Sequence, residues 1–245
     1  MEISAFLLVI ATGIAVMVIS LVLDHLWAQV LPVRFLYYLL RLPGVVVHEC
    51  SHVLGCILTG APVKKVVLFS REGGSVTYTR PKIPVIGDVI ISTAPLFCIP
   101  LLLFGLSWCF ATYLGCVFPA YPDTLATTGA LYTLGSAVVA LFSLNLVAAL
   151  HPWFLLWLYL TLSLVLSVAP SMQDLRNAIL GIAVIAGLGI AVIASGIGWA
   201  ADLLWLVTRA IGQGLTLGLV FGLIALAVSL PPLAWYLWTH RPGRG

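Results

Sequence analysis

The chain has 245 residues, of which 62% are hydrophobic and 8% charged, with a mean hydropathy of +1.17 and a formal net charge of +3. A soluble globular domain carries about a quarter charged residues, so this composition excludes one. The cations that cluster, Lys64, Lys65, Arg71, Arg80 and Lys82 in one interval and Arg241 and Arg244 at the tail, fit membrane topology and not a nucleic-acid surface.

In chain order, apolar stretches occur near Ile3–Leu23, Phe35–Leu58, Val89–Val117, Ala126–Leu150, Trp153–Val168, Ala178–Ile197 and Leu215–Leu230. Most approach the roughly 20 residues that a helix needs to cross a bilayer. Backbone polar groups in lipid need internal partners, so these segments are predicted to be helices of one bundle. The expected fold is an all-α polytopic membrane protein of about six to eight transmembrane helices. Met1-Glu2 opens the first segment without a basic start or cleavage site, which predicts a retained helix.

One long polar interval, 60–87, interrupts the pattern. Within it Val66–Phe69 and Ser75–Thr79 are β-type runs flanking Ser70-Arg71-Glu72-Gly73-Gly74, which predicts a small β-hairpin with a glycine turn. Its positive charge places it on the cytoplasmic side. Shorter breaks at Pro119–Thr124, His151-Pro152, Ala169–Gln173 and Gly196–Asp202 are predicted interhelical turns. Gly214, Gly218 and Gly222 recur every fourth residue and clear one helix face for packing. Cys50, Cys56, Cys98, Cys109 and Cys116 form no Cys-x-x-Cys pair and read as small buried apolar residues.

The chemistry concentrates in Val45-Val46-Val47-His48-Glu49-Cys50-Ser51-His52. On a helix His48 and His52 stand one turn apart on one face, where their imidazoles can bind one Zn²⁺. Glu49, about 100° further round, can reach a water there without ligating the metal. Zinc lowers the pKa of that water, and Glu49 can take its proton and pass it to a leaving amine. Three such groups within an apolar run are costly unless they work, because ionisable side chains inside a membrane are expensive.

A catalytic zinc needs a third protein ligand and an open position. Asp174 follows the Pro170 break and starts an apolar helix, a position that a helix-capping charge also explains. His151, beside Pro152, is the rival ligand, and Asp88 a weaker one. Glu2, Asp24, Glu72, Asp123 and Asp202 read as loop or end charges. Ser163, Ser167 and Ser171 recur at four-residue spacing, as a polar water path or as packing residues.

His48-Glu49-Cys50-Ser51-His52 in a membrane helix, the polar β-type loop after it and the later Asp174 together resemble the site-2 protease family of intramembrane zinc metalloproteases. The resemblance covers about 45–180. It implies one zinc per chain, completed by an aspartate on a later membrane helix, which transfers to Asp174. It also implies that the β region holds substrate as an added strand, with Ser75, Val76 and Thr77 in contact. Family members carry an Asn-containing run leading through prolines into Leu-Asp-Gly. Here Phe142-Ser143-Leu144-Asn145-Leu146 begins such a run, no Leu-Asp-Gly follows, and 153–168 intervenes before Asp174. Asn145 is thus a further candidate substrate-binding residue, and His151 stays open as a ligand.

The expected organisation is a single integral-membrane metalloprotease domain over 1–245, with a catalytic core over about 35–197, the polar loop 60–87 and additional C-terminal helices over 198–240. Its expected partners are a transmembrane protein substrate and the lipid bilayer, with no nucleic acid, in a multi-pass location such as a prokaryotic plasma membrane. A prenyl-protein-processing protease would complete the zinc site with glutamate, and no Glu follows position 72. A non-catalytic membrane protein, either a transporter or a helix-binding scaffold, is the alternative of a different class. Dispensability of Glu49 would favour it.

Overall fold

The structure, a computed structural model, describes residues 3–68, 70, 73–122, 128–147 and 150–239. Glu2, Phe69, Arg71, Glu72, Asp123, Arg241 and Arg244, all weighed above, lie outside the described residues. The chain is a helical membrane protein. Its helices are α1 (Ile3–Val30), α2 (Arg34–Thr59), α3 (Pro84–Leu114), α4 (Thr128–Phe142), α5 (Pro152–Val165), α6 (Met172–Ser195) and α7 (Gly198–Thr239), with a π-helical turn at Ser143–Val147. Of these, α1, α2, α3 and α7 are long and apolar enough to cross a bilayer, and α4, α5 and α6 contribute shorter apolar stretches. Large apolar side chains such as Leu21, Leu101 and Leu188 point outward, as a lipid solvent permits.

Strands β1 (Val63–Val67) and β2 (Ser75–Tyr78) form an antiparallel hairpin directly after α2, pairing Val66 with Val76 and Val67 with Ser75. Gly60 ends α2 in the left-handed region (φ 65°), where it needs no Cβ, and its N–H caps the Cys56 and Ile57 carbonyls. Val76 and Tyr78 pack inward on Cys56, Ala61 and Ile91, which seats the hairpin on α2 and α3. Burial beside Asp88 pushes the Tyr78 phenol upward, so it stays protonated and donates to the Asp88 carboxylate.

Two elements run longer than the apolar pattern predicts. The first helix continues through Asp24 to Val30, and Asp24 is not a loop charge: it pairs with Arg41 of α2 at 3.1 Å. The last helix starts at Gly198 and absorbs Asp202 and Arg209, the latter lying over the Trp205 ring, so the predicted turn shrinks to its first residues. A charge stops an apolar run, but it does not break an α-helix.

The core gathers around Phe154 and Trp157 of α5, stacked at 5.5 Å, with Ile99, Leu103, Phe221 and Ile224. Gly214, Gly218 and Gly222 lie where a Cβ would meet Phe97, Pro100, Val16 and Ile19, so their spacing seats α7 against α1 and α3. All five cysteines are free.

Candidate metal centre

Helix α2 is docked by the consequences of its own proline. Pro43 has no N–H to give the Leu39 carbonyl, and Tyr159 of α5 donates its hydroxyl there instead, at 3.1 Å. One turn along α5, the Ser163 hydroxyl accepts the Gly44 N–H at 3.1 Å. A Cβ on Gly44 would overlap the Ser163 carbonyl and Ser167, so only glycine allows this approach. The next turn presents the Ser167 carbonyl, an unpaired acceptor past the end of α5, to His48 Nδ1.

The second histidine is held by the same physics on α3. Pro95 cannot donate to the carbonyl four residues back, which leaves Ile91 with a free acceptor inside the bundle. His52 Nδ1 donates to it at 2.8 Å. Gly55 makes room, since a Cβ there would meet Ile91 Cα at 2.9 Å.

Because a carbonyl only accepts, both imidazoles carry a proton on Nδ1, and each neutral ring then turns a bare Nε2 inward. Those two nitrogens stand 3.1 Å apart, and Asp174 Oδ2 lies 3.5 Å from His52 Nε2. Two lone pairs and a carboxylate facing one another in a buried site repel unless a cation lies among them. Ligands about 2.0–2.1 Å from a tetrahedral zinc would lie roughly 3.3–3.4 Å from one another, close to the two spacings at His52 Nε2. His48, His52 and Asp174 each offer one ligand atom, all within 4.8 Å of one another. The donor set and its carbonyl partners suit zinc held through Nε2.

Asp174 is the third residue of α6 and belongs to a capping box: Ser171 Oγ accepts the Asp174 N–H, and Asp174 Oδ2 accepts from the Ser171 N–H and hydroxyl at 2.9 and 2.6 Å. The helix-capping and site-facing readings of this residue therefore describe one geometry. His48, Glu49 and His52 are 9, 6 and 5% exposed, so the three groups are withdrawn from bulk solvent.

Glu49 faces a cavity of about 270 Å³ that also contains His48 and Ser167 and is roofed by Gly73 and Gly74. A Cβ on Gly74 would overlap the Glu49 carboxyl group, so the hairpin turn rests directly on this side chain. The Ser70 hydroxyl donates to the Gly73 carbonyl at 2.6 Å and shapes the turn.

His151 is not brought to this cluster. It N-caps α5, a helix of 14 residues and hence about 21 Å long, whose opposite end presents Ser163 and Ser167 to α2. Its Nδ1 instead lies 3.9 Å from Cys116 Sγ. Asn145 is at that same remote end. It is buried, accepts from Val117 N–H at 2.9 Å and donates to the Val117 and Leu141 carbonyls at 2.7 and 2.8 Å, so it clamps the chain after α3 and does not face the histidines. Asp88 is engaged by Tyr78 outside the cluster. In β2, Ser75 and Thr77 are exposed and Val76 half-buried, with the strand beginning beside the Gly74 roof.

Residues 7–118, which include α2, the hairpin and α3, match a protein-family model described as Peptidase M50B-like. The match supports the resemblance to the site-2 protease family and points to a membrane peptidase. Asp174 lies beyond the matched residues, so its place beside His52 comes from the fold. No curated protein and no solved structure matches the chain.

The sequence reading overlooked Pro95, Ile91 and Tyr159. A signal for the first existed: a proline inside an apolar helix always releases a carbonyl. Which donor takes that carbonyl depends on a neighbouring helix.

Proposed function

We propose that the chain is an intramembrane zinc metalloprotease that hydrolyses peptide bonds in or beside transmembrane segments of other proteins. The observation that carries this reading is the pair of inward Nε2 atoms, fixed by carbonyls at both Nδ1 positions and joined by Asp174. In this reading His48, His52 and Asp174 hold the ion. Zinc held there would supply Lewis-acid polarisation of a carbonyl and lower the pKa of water. Glu49 accepts a proton from the attacking water and returns it to the departing amine nitrogen.

A substrate helix hides its carbonyls in its own hydrogen bonds, so it must unwind before attack. The hairpin is two-stranded, and among the described residues β2 has one edge without a partner. Ser75, Val76 and Thr77 on that strand offer an extended segment the backbone partners it has lost, starting beside Glu49.

The test is zinc content and cleavage of a model membrane substrate by purified protein. One zinc per chain is expected, lost in His48→Ala and Asp174→Ala and retained in His151→Ala. Glu49→Gln keeps zinc and loses about 10²–10⁴-fold in cleavage rate. Wild-type protein without zinc, or Glu49→Gln cleaving at the wild-type rate, overturns the proposal.

A further inference from the structure

The cavity beside His48 and Glu49 has a second polar wall that hydrolysis does not use. Arg41 and Asp24 both line it. Arg41 Nε lies 3.1 Å from Asp24 Oδ1, Tyr37 donates its hydroxyl to the same oxygen at 2.7 Å, and Arg41 Nη1 donates to the Tyr37 hydroxyl at 3.2 Å. The two charged side chains are 29 and 26% exposed, so the cavity reaches them.

A structural ion pair is a poor explanation for these residues. Half-burying two charges in a membrane segment costs more than packing two apolar side chains of the same size there. Helix α1 packs chiefly along α7, where Gly13, Val16 and Ile19 meet Leu215, Gly218 and Gly222. The pair is therefore not what holds α1 in the bundle.

We infer that Arg41 and Asp24 form a backbone-binding subsite that grips one peptide unit of the unwound substrate about three residues from the scissile bond. The inference rests on the proteolytic reading and deepens it. Arg41 precedes His48 by seven residues, two helical turns on the same face of α2, which is about 10 Å. An extended chain advances about 3.3–3.4 Å per residue, so that span takes about three residues. The pair is neutral as a unit and selects a dipole, not a charged side chain. A guanidinium donates to a peptide carbonyl and a carboxylate oxygen accepts a peptide N–H, which matches the two groups that unwinding exposes. The β2 edge and this wall would hold the segment at two points along its length.

The test uses the full-length zinc-loaded protein carrying Glu49→Gln, so that a peptide binds without being cleaved. The probe is a fluorescent transmembrane peptide and a series in which single backbone amides, two to four residues from the scissile bond, are replaced by esters. An ester removes the N–H and weakens the carbonyl acceptor. At one position the ester is expected to weaken binding about tenfold in the parent, clearly less in the Arg41→Gln variant, where only Asp24 still meets the peptide unit, and by an intermediate amount in Arg41→Lys. Zinc content and thermal midpoint of the Arg41 variants serve to show that the fold is retained. Equal ester sensitivity in parent and Arg41→Gln overturns the subsite. Arg41-dependent ester sensitivity in a protein whose wild type does not cleave supports the subsite while removing the protease reading. Cleavage by wild type with no Arg41 dependence of peptide binding does the reverse.

Discussion

Gly74 has no side chain at the point where the hairpin turn meets Glu49, and a single methyl group there would overlap the carboxyl. The expected result of Gly74→Val is a loss of at least about tenfold in kcat/KM with zinc content unchanged, because the displaced group is the proposed acid/base and not a proposed ligand. Metal analysis beside cleavage kinetics checks this, and wild-type turnover in the variant would show that the turn does not position Glu49. At this scale His48, Glu49 and His52 were legible as a local motif, because an i, i+4 pair shares a helix face whatever surrounds it. Asp174 was legible only as one of several acids. Its capping role is local to Ser171, whereas its distance from His52 depends on how α6 docks.

At the scale of the elements, Pro43 and Pro95 do what a hydropathy reading does not register. Each releases a carbonyl inside a helix, and a neighbour takes it: Tyr159 at Leu39, and His52 at Ile91. Replacing Pro95 by alanine gives the Ile91 carbonyl a competing N–H. Loss of a partner behind a metal ligand typically costs about 10–100-fold in metal affinity. Proline in a helix interior is unfavourable by about 3 kcal/mol relative to alanine, so Pro95→Ala should raise or preserve thermal stability while weakening zinc. A zinc titration and a melting curve of the same sample read the two effects separately, and unchanged zinc affinity would remove Ile91 from the site. The serines of α5 were legible as a four-residue repeat, with packing and polar roles both open. In the fold Ser163 holds the Gly44 N–H and Ser167 gives its carbonyl to His48, so the repeat serves the site through α2. Asn145 shows the opposite case: its polar neighbours come from the α3–α4 connection, remote from the cluster.

For the molecule as a whole, the proposed ion would tie α2 to α6, two helices that the hairpin and α3 to α5 separate in sequence. A ligand that binds only the folded state stabilises it by about 2.7 kcal/mol at a free concentration of 100 times its Kd. In a chain of this length that corresponds to a fall of about 5–10 °C in Tm on chelation. Thermal melts with and without chelator measure it, with His48→Ala showing no such shift. Equal midpoints for wild type would mean that no metal bridges these helices.

Composition and hydropathy alone determined that this is a helical membrane protein with a polar hairpin after its second helix, because lipid forces backbone groups to pair within each segment. The His-Glu-x-x-His spacing alone placed two imidazoles and a carboxyl on one helix, because helical periodicity is local. Only the tertiary structure set Asp174 beside His52, sent His151 and Asn145 to the other end of α5, and gave each imidazole the carbonyl that aims its Nε2 inward. Those relations join residues from 28 to 122 positions apart, and no local pattern encodes them. They follow from which helix faces lie close enough to meet, which glycines and released carbonyls decide once the bundle has assembled.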